Sequence, residues 1–150
     1  RKEGSALCKQ FGRQNILFDK ILVDAPCSGE GTLRSGPKTY LMWNIKTVKH
    51  LPRIQKNLFR SAINLLKING EIIYSTCTHA PEENEAVIDE ILREFNNLKI
   101  EEIKLPIKCR PGIEEWEGKK YLKDVTKSCR VYPQDNNTEG FFIAKFRKVK

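Results

Sequence analysis

No stretch of this sequence approaches the roughly 20 apolar residues that a membrane-spanning helix requires. The opening RKEGSALCKQFGRQ also lacks the apolar centre of a signal peptide. The chain is therefore expected to be soluble and intracellular. There is no Cys-x-x-Cys pair, and the five cysteines, at 8, 27, 77, 109 and 129, are odd in number. Neither a disulfide framework nor a cysteine-rich zinc site is indicated, and reduced thiols are expected. Internal repeats and low-complexity segments are missing too. Acidic charge is scarce: 19 Asp and Glu stand against 27 Lys and Arg, a formal net charge of +8. Such a surplus suits a polyanionic partner, nucleic acid foremost, through phosphate neutralisation and counterion release. It equally suits a solvated basic surface, so motifs have to decide.

What is present suffices for one core. At 150 residues and 39% apolar composition the chain makes one domain or part of one. Phe18 to Val23, with Ile21, Leu22 and Val23 adjacent, reads as a short strand buried on both faces. Pro52 suits the first residue of a helix running to about Lys67, with Asn69-Gly70 as its stop. On it Ile54, Leu58, Phe59, Ala62, Leu65 and Leu66 share one side, and Arg53, Lys56, Arg60 and Lys67 form a basic back. That back reads as solvated, with phosphate tracking the alternative.

GEIIYST, Gly70 to Thr76, is a second buried strand, and a helix follows from Pro81 with Val87, Ile88, Ile91, Leu92 and Phe95 inward. The acidic cluster of Glu82, Glu83 and Glu85 reads as a helix start opposing the positive dipole end, with no further role. Leu98 to Leu105 is expected as a strand, residues 106 to 139 as a long irregular excursion, and GFFIAKFRK from Gly140 as the last strand. Alternating strands and helices predict an α/β fold, its sheet mostly parallel and ending in an antiparallel hairpin.

Ligands of open α/β sheets bind outside the carboxyl ends of the strands. Cys27 in DAPC and Cys77 in STCT both lie just past such an end. Neighbouring strands, about 4.8 Å apart, would let both sulfurs border one pocket with a planar base between them. Two thiols in equivalent loops of small polar residues point to reactive cysteines. Cys8, Cys109 and Cys129 read as structural, and Trp43 and Trp116 as packed rather than stacked on bases.

ILVDAPCSGEGTLR, QKNLFRSAINLLKINGEIIYSTCTHAPEENE and RVYPQDNNTEGFFIAKFRK together resemble the RNA cytosine-5 methyltransferases of the Sun family, over almost the whole chain. The resemblance implies a Rossmann-like methyltransferase fold, S-adenosylmethionine as cofactor, and RNA as partner, tRNA ahead of rRNA. It places the protein in the cytoplasm, or the nucleolus for a eukaryotic rRNA enzyme. Carbon 5 of cytosine becomes nucleophilic only after a thiol adds to carbon 6, so covalent catalysis divides one hard step into two. By resemblance Cys77 is the adding thiol, and Cys27 assists removal of the carbon 5 proton. Asp24 contacts the ring nitrogen and amine of cytosine, and Pro26 positions that turn. Asp24 and Pro26 are also assigned to the cofactor side, and Arg34 to the RNA or the methionine portion.

The sequence departs from the family pattern in two ways. Only 23 residues precede Asp24, and they hold no glycine-rich cofactor loop. The chain is thus expected to be the carboxyl-terminal half of a catalytic domain, weak in cofactor binding alone, with the amino-terminal half as a partner. Gln134 follows Pro133 where many members have histidine. Two other readings remain open: a nucleic-acid amino-methyltransferase, which shares an acid and proline after a strand, and a non-catalytic RNA-binding fragment of the same fold.

Overall fold

The structure, a computed structural model, describes residues 4–150. In chain order it runs α1 (Gly4–Arg13), β1 (Phe18–Asp24), a short 3-10 turn at Glu30–Thr32, α2 (Pro37–Met42), α3 (Ile45–Asn64), β2 (Leu66–Thr76), α4 (Glu85–Glu94) and β3 (Leu98–Glu101). Four two- or three-residue strands follow, β4 (Arg110–Pro111), β5 (Glu115–Trp116), β6 (Lys119–Lys120) and β7 (Cys129–Val131), then α5 (Pro133–Asn136) and β8 (Phe141–Lys148). None of the helices is long and apolar enough to cross a membrane among the described residues.

The main sheet is ordered β1-β2-β8-β7-β4. β1 and β2 are parallel neighbours, Val23 opposite Tyr74 and Asp24 opposite Ser75, as two strands feeding equivalent loops must be. β8 enters antiparallel against β2, Phe142 opposite Thr76, and its other edge takes both β7 and β3. β7, α5 and β8 form the expected closing hairpin, and the sheet is mixed, with its parallel pairing at the β1–β2 end. β8 is the central strand, and Phe142, Ala144 and Phe146 along it are fully buried. They pack with Phe59, Tyr74, Val87, Ile88 and Ile91 beneath α3 and α4. Burying side chains of this size contributes roughly 1.5–3 kcal/mol each.

Several boundaries differ from the sequence reading. α3 begins at Ile45, not Pro52, because Asn44 caps it: its side chain accepts from the Thr47 amide at 2.8 Å. Pro52 sits inside the helix. The predicted inner stripe holds at Phe59, Ala62, Leu65 and Leu66 but not at its start: Ile54 is 41% exposed while Gln55 is fully buried, its carboxamide reaching across to the loop after β1. Asn69-Gly70 lies within β2, at an irregularity where Phe18 pairs with Leu66 but Lys20 with Glu71. Asn69 takes a left-handed φ of 65° there. β1 is buried on one face only, with Leu22 66% exposed. β3 stops at Glu101, and the excursion after it is stapled rather than irregular throughout.

That staple corrects the expectation of reduced thiols. Cys109 and Cys129 form a disulfide across 20 residues, beside the pair of Pro111 with Cys129 that joins β4 to β7. A loop of this size is held by about 3 kcal/mol in the chain-entropy account. Cys8, Cys27 and Cys77 are free thiols.

Candidate active site

The loops after β1 and β2 meet at their cysteines. Cys27 Sγ lies 3.1 Å from Cys77 Sγ, and the Cys77 amide donates to Cys27 Sγ at 3.3 Å. The strands are neighbours and the thiols share one place, as the sequence implied. The contact leaves no room for a base between them, which would need roughly 7 Å; a base can only lie against the pair. Both thiols are partly exposed.

The contact splits the two sulfurs electrically. The Cys27 thiol hydrogen-bonded to it, together with the loop's own backbone donor, pulls Cys77 down to about 7, against the opposing effects of burial and the carboxylates of Asp24 and Glu83. The same bond, reinforced by burial and by the charge on Cys77, holds Cys27 well above an ordinary thiol. Near neutral pH the arrangement is a Cys77 thiolate accepting from a Cys27 thiol. Iodoacetamide should therefore alkylate Cys77 with a rate that rises half-maximally near pH 7, followed by peptide mass mapping. In Cys27→Ala the midpoint should move up towards an ordinary thiol, about 8.5. An unchanged midpoint would show that the shift has another source.

Three consecutive residues hold both loops, and each is fully buried. Glu83 Oε2 accepts from the Ser28 amide at 3.1 Å and from Gln55 Nε2 at 2.7 Å, while Gln55 Nε2 also donates to the Pro26 carbonyl at 2.8 Å. Asn84 brackets Cys77, accepting from the Thr76 hydroxyl at 2.6 Å and donating to the Thr78 carbonyl at 3.0 Å. Glu85 takes the Arg130 guanidinium of β7 in a two-pronged bond, at 2.6 and 2.5 Å, with Arg130 only 4% exposed. Of the acidic cluster, Glu85 does open α4, but Glu83 and Glu85 are also internal clamps, which overturns the reading of no further role; Glu82 and Glu83 lie ahead of the helix. Burial raises Glu83 above the usual glutamate value, opposed by its bonds to Ser28 and Gln55. Sequence reasoning missed this because carboxylates before a helix have a common, sufficient explanation; the ENE run, four residues beyond STCT, was the available signal.

The remaining predicted residues are dispersed more widely. Asp24 is exposed at the end of β1, where Ser75 Oγ donates to it at 3.2 Å. It rims a cleft of about 340 Å³ shared with Leu22, Ile73 and Ile143 on the uncovered face of the sheet. Pro26 is exposed, its carbonyl tied to Gln55. Arg34 is exposed and donates to Asn137 at 2.5 Å, away from the sulfurs along the chain but on the same loop. Gln134 lies in α5 and is exposed. Trp43 and Trp116 are 43% and 42% exposed, so neither is packed; their indoles donate to Glu30 and Glu82. The basic back of α3 is partly spent on α4, Lys56 and Arg60 pairing with Glu90 and Glu94.

A backbone crossing closes the site. The Gly31 amide donates to the Cys77 carbonyl at 2.8 Å, and the Gly140 amide to the Gly31 carbonyl at 2.9 Å. A Cβ on Gly31 would collide with the carbonyls of Gly140 and Cys77, and one on Gly140 with the His79 ring.

The mixed α/β sheet is that of a Rossmann-like methyltransferase, as the solved structures it resembles show. A methyltransferase homolog from Pyrococcus horikoshii superposes with a TM-score of 0.78 at 34% identity, over 93% of this chain and 42% of that one. NSun6 from the same organism, solved with SFG, gives 0.79 at 34% identity, over all of this chain and 34% of that one. Residues 3–147 match the family described as 16S rRNA methyltransferase RsmB/F, and the chain belongs to that family. It is 46% identical over 140 residues to a tRNA (cytosine(49)-C(5))-methyltransferase of Pyrococcus abyssi, covering 93% of this chain and 45% of the relative. Ribosomal RNA small subunit methyltransferase F of Aliivibrio fischeri is 37% identical over 133 residues, covering 87% and 26%. The chain spans less than half the length of these relatives.

Proposed function

We propose that this chain is the base-attacking part of an S-adenosylmethionine-dependent RNA cytosine-5 methyltransferase, acting on tRNA or rRNA in the cytoplasm or nucleolus. The observation that carries the reading is the 3.1 Å contact between one thiol held protonated and one held as thiolate. The names of the relatives supply the substrate class.

Cys77, as thiolate, adds to carbon 6 of a cytosine lying against the pair, which makes carbon 5 an enamine nucleophile. Asp24, exposed one residue beyond Val23, is available to the ring nitrogen and exocyclic amine, where proton sharing favours the electron shift. The cofactor, when bound, supplies an electrophilic methyl group. The chain fits it in part: Asp24 and Pro26 can border it, while the residues before Asp24 hold no glycine-rich loop for the rest. The exposed Leu22 and the edge of β1 that no described strand pairs are what a further segment of such a domain would cover.

The thiol contact also orders the later step. Once Cys77 sulfur is committed to carbon 6, the bond and the charge that hold Cys27 protonated are gone. Cys27 then becomes easier to ionise just as a base is needed for the carbon 5 proton. An amino-methyltransferase would leave Cys77 and this coupling without work, since an amine attacks directly.

The test is methyl transfer by the active enzyme to tRNA and rRNA transcripts, with the methylated nucleoside identified by mass spectrometry. 5-Methylcytidine is expected. Methyl on the exocyclic nitrogen would replace this reading with the amino-methyltransferase one.

A further inference from the structure

Between Glu30 and Glu71 the sequence has no acidic residue, while eight of its 27 lysines and arginines fall there. Lys56, Arg60 and Lys67 are engaged by carboxylates of Glu90, Glu94 and Asp19. Lys38, Lys46, Lys49 and Arg53 are exposed and have no carboxylate partner among the described residues. Three of them, Lys46, Lys49 and Arg53, recur on one face of α3 by helical spacing.

The same segment holds the barest apolar surface of the molecule. Tyr40 is 76% exposed, Leu41 81% and Met42 75%, consecutive residues of a helix that nothing described covers. The helix is held in place: the Thr32 and Thr39 hydroxyls bond at 3.2 Å, and Asn44 follows as the cap of α3. Its end is wired to the reactive loop. Trp43 Nε1 donates to Glu30 Oε1 at 2.8 Å, and Glu30 Oε2 accepts at 3.2 Å from Thr78, the residue after Cys77.

We propose that Tyr40 and Trp43 form a stacking platform for unpaired RNA nucleotides flanking the base at the thiol pair, with Lys38, Lys46, Lys49 and Arg53 taking the adjoining phosphates. The proposal rests on the RNA methyltransferase reading and deepens it. The charge selects the occupant. Protein-docking patches are depleted in lysine at their centre, whereas aromatic faces among unneutralised cations are what single-stranded nucleic acid binds. The chemistry needs it as well. A cytosine that reaches a thiol must leave its stack, and an exposed ring two hydrogen bonds from that thiol loop can replace the stacking its neighbours lose.

The experiment is fluorescence anisotropy with a labelled, unstructured RNA oligonucleotide and, separately, the same sequence closed in a duplex. The single strand is expected to bind more tightly. Tyr40→Ala should weaken it about ten-fold with little change in salt dependence, and Tyr40→Phe should bind like the parent. Tyr40→Leu, which keeps an apolar side chain without a ring face, should be as weak as Tyr40→Ala. Lys46→Gln should instead flatten the salt dependence by about one phosphate contact. The pH midpoint of Cys77 alkylation, unchanged in each variant, shows that the reactive loop is intact. Parent-like binding by Tyr40→Leu, equal binding of duplex and single strand, or burial of the patch in a dimer by sedimentation would each overturn the platform. Ring-dependent binding without cytosine methylation in the active enzyme would instead remove the methyltransferase reading and leave the platform.

Discussion

Cys77→Ala should give no covalent RNA adduct and lose methylation by on the order of 10⁴-fold or more, the scale on which an enzyme loses a covalent nucleophile. Cys27→Ala should behave differently. Addition and methyl transfer remain open to it, while loss of the carbon 5 proton is impeded, so a protein–RNA adduct should accumulate and survive denaturing electrophoresis. The 3.1 Å contact sharpens this expectation. Removing Cys27 also removes the hydrogen bond that pulls Cys77 down to about 7, so adduct formation in that variant should slow at neutral pH and recover towards pH 9. Electrophoresis over a pH series reads both effects. Adduct in the Cys77 variant and none in the Cys27 variant would reverse the roles.

The second large effect is on stability. Arg130→Met leaves Glu85 fully buried without its countercharge, and breaking a buried pair from one side costs about 3–5 kcal/mol. It also frees the His79 carbonyl and the Tyr132 hydroxyl that Arg130 contacts at 3.1 Å each. Urea unfolding should show the loss, and the double variant Glu85→Leu/Arg130→Met should recover much of it, since an apolar pair has no stranded charge. No recovery would mean that the loss lies in the bonds to His79 and Tyr132, or in the Ile113 amide that donates to Glu85, rather than in the ion pair.

The meeting of the two thiols was legible in the sequence. DAPC and STCT each follow a strand, and the strands proved parallel neighbours. Long-range pairings were not legible. Cys109 and Cys129 lie 20 residues apart in a segment of turns, and nothing in that spacing tells a disulfide from two structural thiols. Glu82, Glu83 and Glu85 gave a helix-start pattern that was locally complete, so the partners of Glu83 and Glu85, Ser28 and Arg130, could appear only when the chain was folded. Pro52 misled in the same way. Proline at a first turn is the common case, yet Asn44 supplied the cap one helical stretch earlier.

The crossing of Gly31 with Gly140 has a consequence for the chain as it is made. Cys77 is aligned through Gly31, and Gly31 is held by an amide at the threshold of β8, the strand on which β2, β3 and β7 all lean. Synthesis delivers both thiols before that strand. Until residues 140–148 have left the ribosome, the sheet has no centre and Gly31 lacks the Gly140 amide that holds it. Under the proposed function, a nascent chain carries Cys77 without that brace, and its full alignment for attack on RNA waits until β8 has joined the sheet.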